Sequence, residues 1–121
     1  MAKTGAILFR WGSTVRGRET LAVETFGQVV EYFEGLYKEG RITSHREYFS
    51  LNRDGGFCII EGLIPELLKL VSEDDFVKWV VRSEAIVEDF RTEIFFGGTD
   101  ATVQTMLELF TEELKELTLF T

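Results

Sequence analysis

The stretch "SHREYFSLNRDGGFCIIEG", residues 44–62, contains two runs of strand character on either side of a turn. "SHREYFSL" and "GFCIIEG" are rich in aromatic and branched apolar residues, and "NRDGG" between them holds Asp54-Gly55, a pair that takes positive φ at little cost. The stretch predicts an antiparallel hairpin. Its neighbours decide what sheet that hairpin joins.

Upstream, "GAILFRWG" alternates Ile7, Phe9 and Trp11 with Ala6, Leu8 and Arg10, the period of a strand. A loop, "STVRGRET", follows. From about Leu21 to Tyr37, apolar Ala22, Phe26, Val29, Val30, Phe33, Leu36 and Tyr37 recur at three and four residues, one face of a helix that Gly40 ends. Downstream, Ile64-Pro65 opens a short helix, with Pro at a first-turn position where its missing N–H costs nothing. Ser72 and Asp75 form a capping pattern for a helix carrying Phe76, Trp79, Val80, Ile86 and Val87 to about Asp89. "RTEIFFG" predicts a fourth strand. Thr99 or Asp100 caps a last helix with the stripe Val103, Met106, Leu107, Phe110, Leu114 and Leu117.

The order predicts an α+β fold: a ferredoxin-like βαββαβ sandwich with a four-stranded antiparallel sheet and an additional C-terminal helix, as a single domain over residues 1–121. All four strands carry bulky residues at both parities, such as Ile59 with Ile60 and Phe95 with Phe96, so both sheet faces are expected to be apolar. Two helices cover one face. The other calls for the last helix, a second subunit, or both, and a homodimer is expected. The terminal "LTLFT" is apolar for a chain end and is expected to dock on the body or on a second subunit.

Composition narrows the function. The net charge of −8 argues against nucleic acid, whose phosphates attract basic stripes. Residues 1–20 carry +3 and the rest −11, so either the acids are solvated helix surface or the basic N-terminal loop meets an anionic ligand or an acidic partner. Cys58 is the only cysteine and His45 the only histidine, which excludes an intrachain disulfide and a Cys/His zinc site, and no cofactor or metal is expected. Cys58 reads as a small buried hydrophobe. With no apolar run long enough to span a bilayer and no signal-like N-terminus, a cytoplasmic protein without a membrane partner is expected. "GSTVRGRET" lacks the Gly-Lys-Ser/Thr ending of a phosphate loop, "NRDGG" lacks calcium-ligand spacing, and no serine sits in a nucleophile elbow.

The candidate chemistry centres on His45 and Glu47, two apart on one strand face, where a carboxylate would orient the imidazole and raise its pKa. The alternative is a strand edge with a solvated Glu47. Two hairpin registers are open. A two-residue turn at Asp54-Gly55 pairs Arg53 with Gly56, Phe49 with Ile60 and Tyr48 with Glu61. Arg46, Tyr48 and Glu61 then line one face, and His45 and Glu47 the other. A five-residue loop sets Leu51 against Phe57 and Glu47 against Glu61, a carboxylate pair of which one would hold a proton. The first is favoured because it avoids paired like charges. Glu61, between Ile60 and Gly62, is expected to be partly buried in either. Arg10, inside an apolar strand, wants an internal carboxylate such as Glu61 or Glu93, an aromatic face or an anionic ligand, and Trp11 either packs or stacks on a ligand.

"GGFCIIEG" followed by "IPELLKL", a helix and "DFRTEIFF" resembles the dimeric α+β barrel superfamily over residues 5–98. That group includes cofactor-independent monooxygenases, muconolactone isomerases, YCII-related proteins and chlorite dismutase relatives. The resemblance implies back-to-back sheets with a ligand between sheet and helices or inside the barrel. It speaks for fold more than activity. The His-plus-Asp pairing of the YCII kind and a late haem-ligand histidine are both missing, and the C-terminal helix is additional. The leading functional expectation is a small-molecule-binding module with an apolar pocket for an apolar or anionic ligand, its candidate contacts being Arg10, Trp11, Tyr48 and Glu61. The first alternative is a cofactor-independent isomerase or monooxygenase, with His45 and Glu47 as catalytic pair and Arg10 neutralising negative charge. The second is a protein-interaction domain.

Overall fold

The computed structural model describes residues 2–52 and 54–117. Eight elements follow in order: β1 (Thr4–Trp11), α1 (Glu19–Lys38), β2 (Ser44–Phe49), β3 (Gly56–Leu63), α2 (Ile64–Val71), α3 (Asp74–Ile86), β4 (Arg91–Phe96) and α4 (Asp100–Glu116). The strands form one antiparallel sheet in the order β2-β3-β1-β4, the ferredoxin-like α+β arrangement with a C-terminal helix added. Among the described residues, no helix is long and apolar enough to cross a membrane.

Strand parity sorts the side chains. Ile7 and Phe9 of β1 and Cys58 and Ile60 of β3 point to the helix-covered face and are buried. There they meet Phe33 and Leu36 of α1, Ile64, Leu67 and Leu70 of α2, and Phe76 of α3, which together form the core. Gly5 lets β1 approach closely, because a Cβ there would run into the Phe95 carbonyl oxygen and Ile64 Cδ1. Gly40, at φ +75°, takes the left-handed conformation just past α1 that a residue without a Cβ adopts readily.

Three local expectations change. The hairpin takes neither register: Phe49 pairs with Gly56, Tyr48 with Phe57, Glu47 with Cys58 and His45 with Ile60, around a loop over residues 50–55. A tight two-residue turn of the Asp-Gly kind needs positive φ at both positions, and only Gly55 has it, at +106°. Gly55 is instead pressed against the Trp11 and Gly12 carbonyls at the end of β1, a space that admits no Cβ. The pairing lies four residues from the two-residue-turn register. Because four is even, the partition of faces is unchanged: Arg46, Tyr48 and Glu61 on one side, His45 and Glu47 on the other. Arg53, paired with Gly56 in that register, lies outside the described residues.

Ser72 ends α2, its hydroxyl donating to the Lys69 carbonyl at 2.7 Å, and does not cap α3, whose first turn follows Glu73 without a side-chain cap. That helix stops at Ile86, because Val87 turns extended to pair with Thr14. The loop after β1 is thereby stitched to the α3–β4 connection, with Gly12 N–H donating to Glu88 O, Glu88 N–H to Ser13 O and Val15 N–H to Ile86 O, all at 2.8 Å.

Among the described residues, the sheet face away from α1–α3 stays open. Tyr48 and Phe57 stack there at 4.8 Å and both are exposed, as is Phe95. Every residue of β4 is exposed. Thr99 caps α4 by accepting from Thr102 N–H, and Thr4 ties this end down through Thr102 and the Gly97 carbonyl. The rest of the helix leaves Val103, Leu107 and Phe110 in solvent. The tail beyond Leu117, expected to dock, lies outside the described residues.

Candidate functional site

A cavity of about 410 Å³ opens between the sheet and the helices, at the end of the sheet where β1 finishes and the hairpin loop begins. β1 contributes Phe9 and Trp11, the hairpin Phe49 and Cys58, α1 Ala22, Phe26, Val29, Tyr32 and Phe33, and α3 Phe76, Trp79 and Val80. The stitched loops close one end with Thr14, Val87 and Phe90. Aromatic contacts set its shape. Phe26 lies 4.9 Å from Phe49 and 5.9 Å from Trp11 between ring centroids, and Phe9 contacts Phe33 at 5.4 Å and Phe76 at 5.7 Å. Protein interiors leave few voids larger than a water molecule, so a space this size between packed elements is what a ligand pocket looks like.

The polar groups on its lining are few. Thr14, Thr25 and Ser83 offer hydroxyls, and among the described residues Glu19 and Asp54 are the charged ones. Backbone N–H groups of Glu19 itself and of Gly17 hold the Glu19 carboxyl below its ordinary value, so it stays ionised. Burial first, and then the charge of Glu47, push the Cys58 thiol up to about 12, which leaves it protonated and inert. Burial and the Glu73 charge likewise raise the Tyr32 phenol to about 12. Among the described residues the cavity therefore presents hydroxyl donors, aromatic faces and the acidic side chains of Glu19 and Asp54. Among the described residues no group of three His, Cys, Asp or Glu side chains is placed to hold a metal ion.

The residues singled out by sequence fall in three places. Trp11 lines the cavity. Arg10, Tyr48 and Glu61 lie on the opposite, open face of the sheet. There Arg10 stands directly across from Arg91, is exposed, and among the described residues makes no ion pair with Glu61 or Glu93. Glu61 is partly buried and accepts from Ser44 Oγ at 2.8 Å, with Arg46 at 3.9 Å.

His45 and Glu47 face the helices but are not on the cavity lining. They meet, His45 Nδ1 lying 2.8 Å from Glu47 Oε2, so Glu47 is the imidazole's partner and not a solvated edge residue. A third member joins from α1: Glu34 Oε2 lies 2.7 Å from His45 Nε2. Burial by itself lowers the His45 pKa, but hydrogen bonds to Glu34 and Glu47 and their charges outweigh it, so the net shift is upward. An imidazolium donates from both nitrogens, and both are taken here. The arrangement clasps α1 to the edge strand β2 and leaves neither nitrogen free to take a proton from a substrate.

The lining residues missed as a site were legible as core stripes. Phe26, Val29 and Phe33 stand three and four apart on α1, and Phe76, Trp79 and Val80 repeat the spacing on α3. Periodicity marks such positions as inward-facing. It carries no signal for whether the two stripes meet or stand apart.

No protein-family model matches the chain, and no curated protein matches it in sequence. Solved structures are similar in shape. SnoaB, a cofactor-independent oxygenase from Streptomyces nogalater, aligns with a TM-score of 0.59 at 13% identity, over 81% of this chain and 96% of that one. A mutant of the same oxygenase gives 0.60 at 12% identity, over 82% and 95%. At such identity the likeness is one of architecture: the chain shares the antiparallel α+β fold of a cofactor-independent oxygenase.

Proposed function

We propose that the protein binds a small, flat, mostly apolar molecule in the cavity between its sheet and its helices, as a binding module. The observation that carries this is the cavity itself, about 410 Å³ with nine aromatic side chains on its lining. Among the described residues, the two charged ones there are both acids, which favours a neutral ligand over an anionic one. The fold likeness to an oxygenase is consistent with a pocket in this kind of sheet. The test is equilibrium binding of a neutral naphthalene-class fluorophore to the wild type and to Ala22→Trp, which fills part of the cavity. Saturable micromolar binding that Ala22→Trp abolishes is expected. Equal binding to both proteins would move the ligand elsewhere.

A second reading, a cofactor-independent oxygenase or isomerase acting in the same cavity, is favoured by the activity named for the similar structures. His45 and Glu47 would serve it as the clasp that positions α1. Oxygen uptake with hydroxylated aromatic compounds separates the two readings.

A homodimer belongs to either reading. The open sheet face with Tyr48, Phe57 and Phe95, the bare strand β4 and the apolar stripe of α4 together expose more apolar surface than scattered single residues would. Light scattering on the wild type and on Phe57→Arg tests it, with a dimer expected for the first and a monomer for the second.

A further inference from the structure

Among the described residues two polar side chains are almost wholly buried, Thr102 at 4% exposed and Thr25 at 5%. Thr102 is satisfied: its hydroxyl accepts from Thr4 N–H at 2.9 Å and lies 2.8 Å from the Thr4 hydroxyl. Thr25 has no hydrogen-bond partner for its hydroxyl among the described residues. It stands on α1 in the run Ala22, Thr25, Val29 and Tyr32, three and four residues apart and all on the cavity lining, so its Cβ faces the space. The hydroxyl hangs directly on that Cβ, too short to reach past the wall to bulk water. Nor is it sealed in: among the described residues the unpartnered side-chain oxygen that packing closes off is that of Tyr32, whereas Thr25 Oγ1 stays open. Valine has the same shape and would pack beside Phe26 and Val29 with no hydroxyl left unpaired. Thr14 and Ser83, the other hydroxyls on the lining, are only half-buried, where water can serve them.

We infer that the Thr25 hydroxyl fixes the ligand of this cavity by donating to the carbonyl oxygen of an uncharged aromatic molecule. The inference deepens the binding reading above and rests on it. An anionic acceptor would be opposed by the acids Glu19 and Asp54 on the same lining. A carbonyl takes the one proton that Thr25 offers and brings no second donor in need of an acceptor among apolar walls. The aromatic body of such a molecule suits a space walled by Phe9, Phe26, Phe33 and Trp79.

The test compares 2-acetylnaphthalene with 2-isopropenylnaphthalene, which has a methylene in place of the carbonyl oxygen, on the wild type, Thr25→Val and Thr25→Ser. Thr25→Val is expected to weaken the ketone about five-fold, the worth of one net hydrogen bond, and to leave the hydrocarbon unchanged. Thr25→Ser keeps the hydroxyl and should keep the wild-type preference for the ketone. The hydrocarbon reports that each variant is folded with an intact cavity. The urea midpoint of Thr25→Val should be no lower than that of the wild type, since no internal hydrogen bond is lost, and a lower one would give the hydroxyl a structural role instead. An equal effect of Thr25→Val on both ligands, or an effect on neither, overturns the inference and leaves the binding reading standing. If neither ligand binds the wild type, the binding reading fails and the inference with it. A second measurement needs no variant. The carbonyl stretch of 2-acetylnaphthalene bound to the wild type should fall to lower frequency than in an alkane solvent, and a stretch at the alkane value overturns the inference.

Discussion

The clasp around His45 makes stability depend on pH in a direction that can be worked out in advance. The side chain is 13% exposed, Glu47 is 18% exposed and Glu34 45% exposed. A hydrogen bond to a charged group in a largely enclosed site contributes about 1.5–3 kcal/mol, so Glu47→Gln should cost about that much. Glu34 is half in solvent, where screening reduces such pairs, and Glu34→Gln should cost about 0.5–1 kcal/mol. The net His45 pKa is raised on folding. Its contribution is therefore complete below the unfolded value of about 6.5, so long as the carboxylates are ionised, and is lost as pH rises through the higher folded value. One such proton changes stability by at most about 1.4 kcal/mol per pH unit between those two values. Urea unfolding at several pH values between about 5.5 and 9 measures this, and Glu47→Gln should flatten the curve as well as lower it. NMR titration of His45 is unambiguous, since the chain has no second histidine. A ring that titrates at or below about 6.5, or a pKa unmoved by Glu47→Gln, would refute the clasp.

Three further outcomes test the packing. Leu67 is fully buried between α2 and the sheet, and Leu67→Ala should lower the unfolding free energy by about 2–5 kcal/mol, read from the urea midpoint. Gly5→Val should destabilise by at least about 1–3 kcal/mol, because its Cβ meets the Phe95 carbonyl and Ile64; a neutral effect in thermal unfolding would contradict that packing. Arg41→Ala releases Glu66 at the start of α2 and Glu73 before α3, both partly buried, and should cost about 1–2 kcal/mol, with amide exchange rising first in α2 and α3.

The element order and the side chains that share a face of each element are legible in the sequence alone. Alternation in "GAILFRWG" puts Ile7 and Phe9 on one face of a strand, the three-and-four spacing of Phe26, Val29 and Phe33 gives α1 its apolar stripe, and Gly40 marks its end, while which face of the sheet the helices cover is decided by the packing. These patterns are local, a period of two or 3.6 along one element, so they survive without knowledge of the rest. The His45–Glu47 contact was legible for the same reason, two residues on one strand. Glu34 was not, because it reaches His45 only when α1 crosses β2. The hairpin register also escaped, since Asp54-Gly55 predicts a tight turn in isolation and the carbonyls of Trp11 and Gly12 press on Gly55 only once β1 lies alongside. The same holds for the cavity. Stripes that periodicity assigns to a core become pocket walls where α1, α3 and the end of the sheet stand too far apart for their side chains to close the space, and that separation is a property of the packed elements alone.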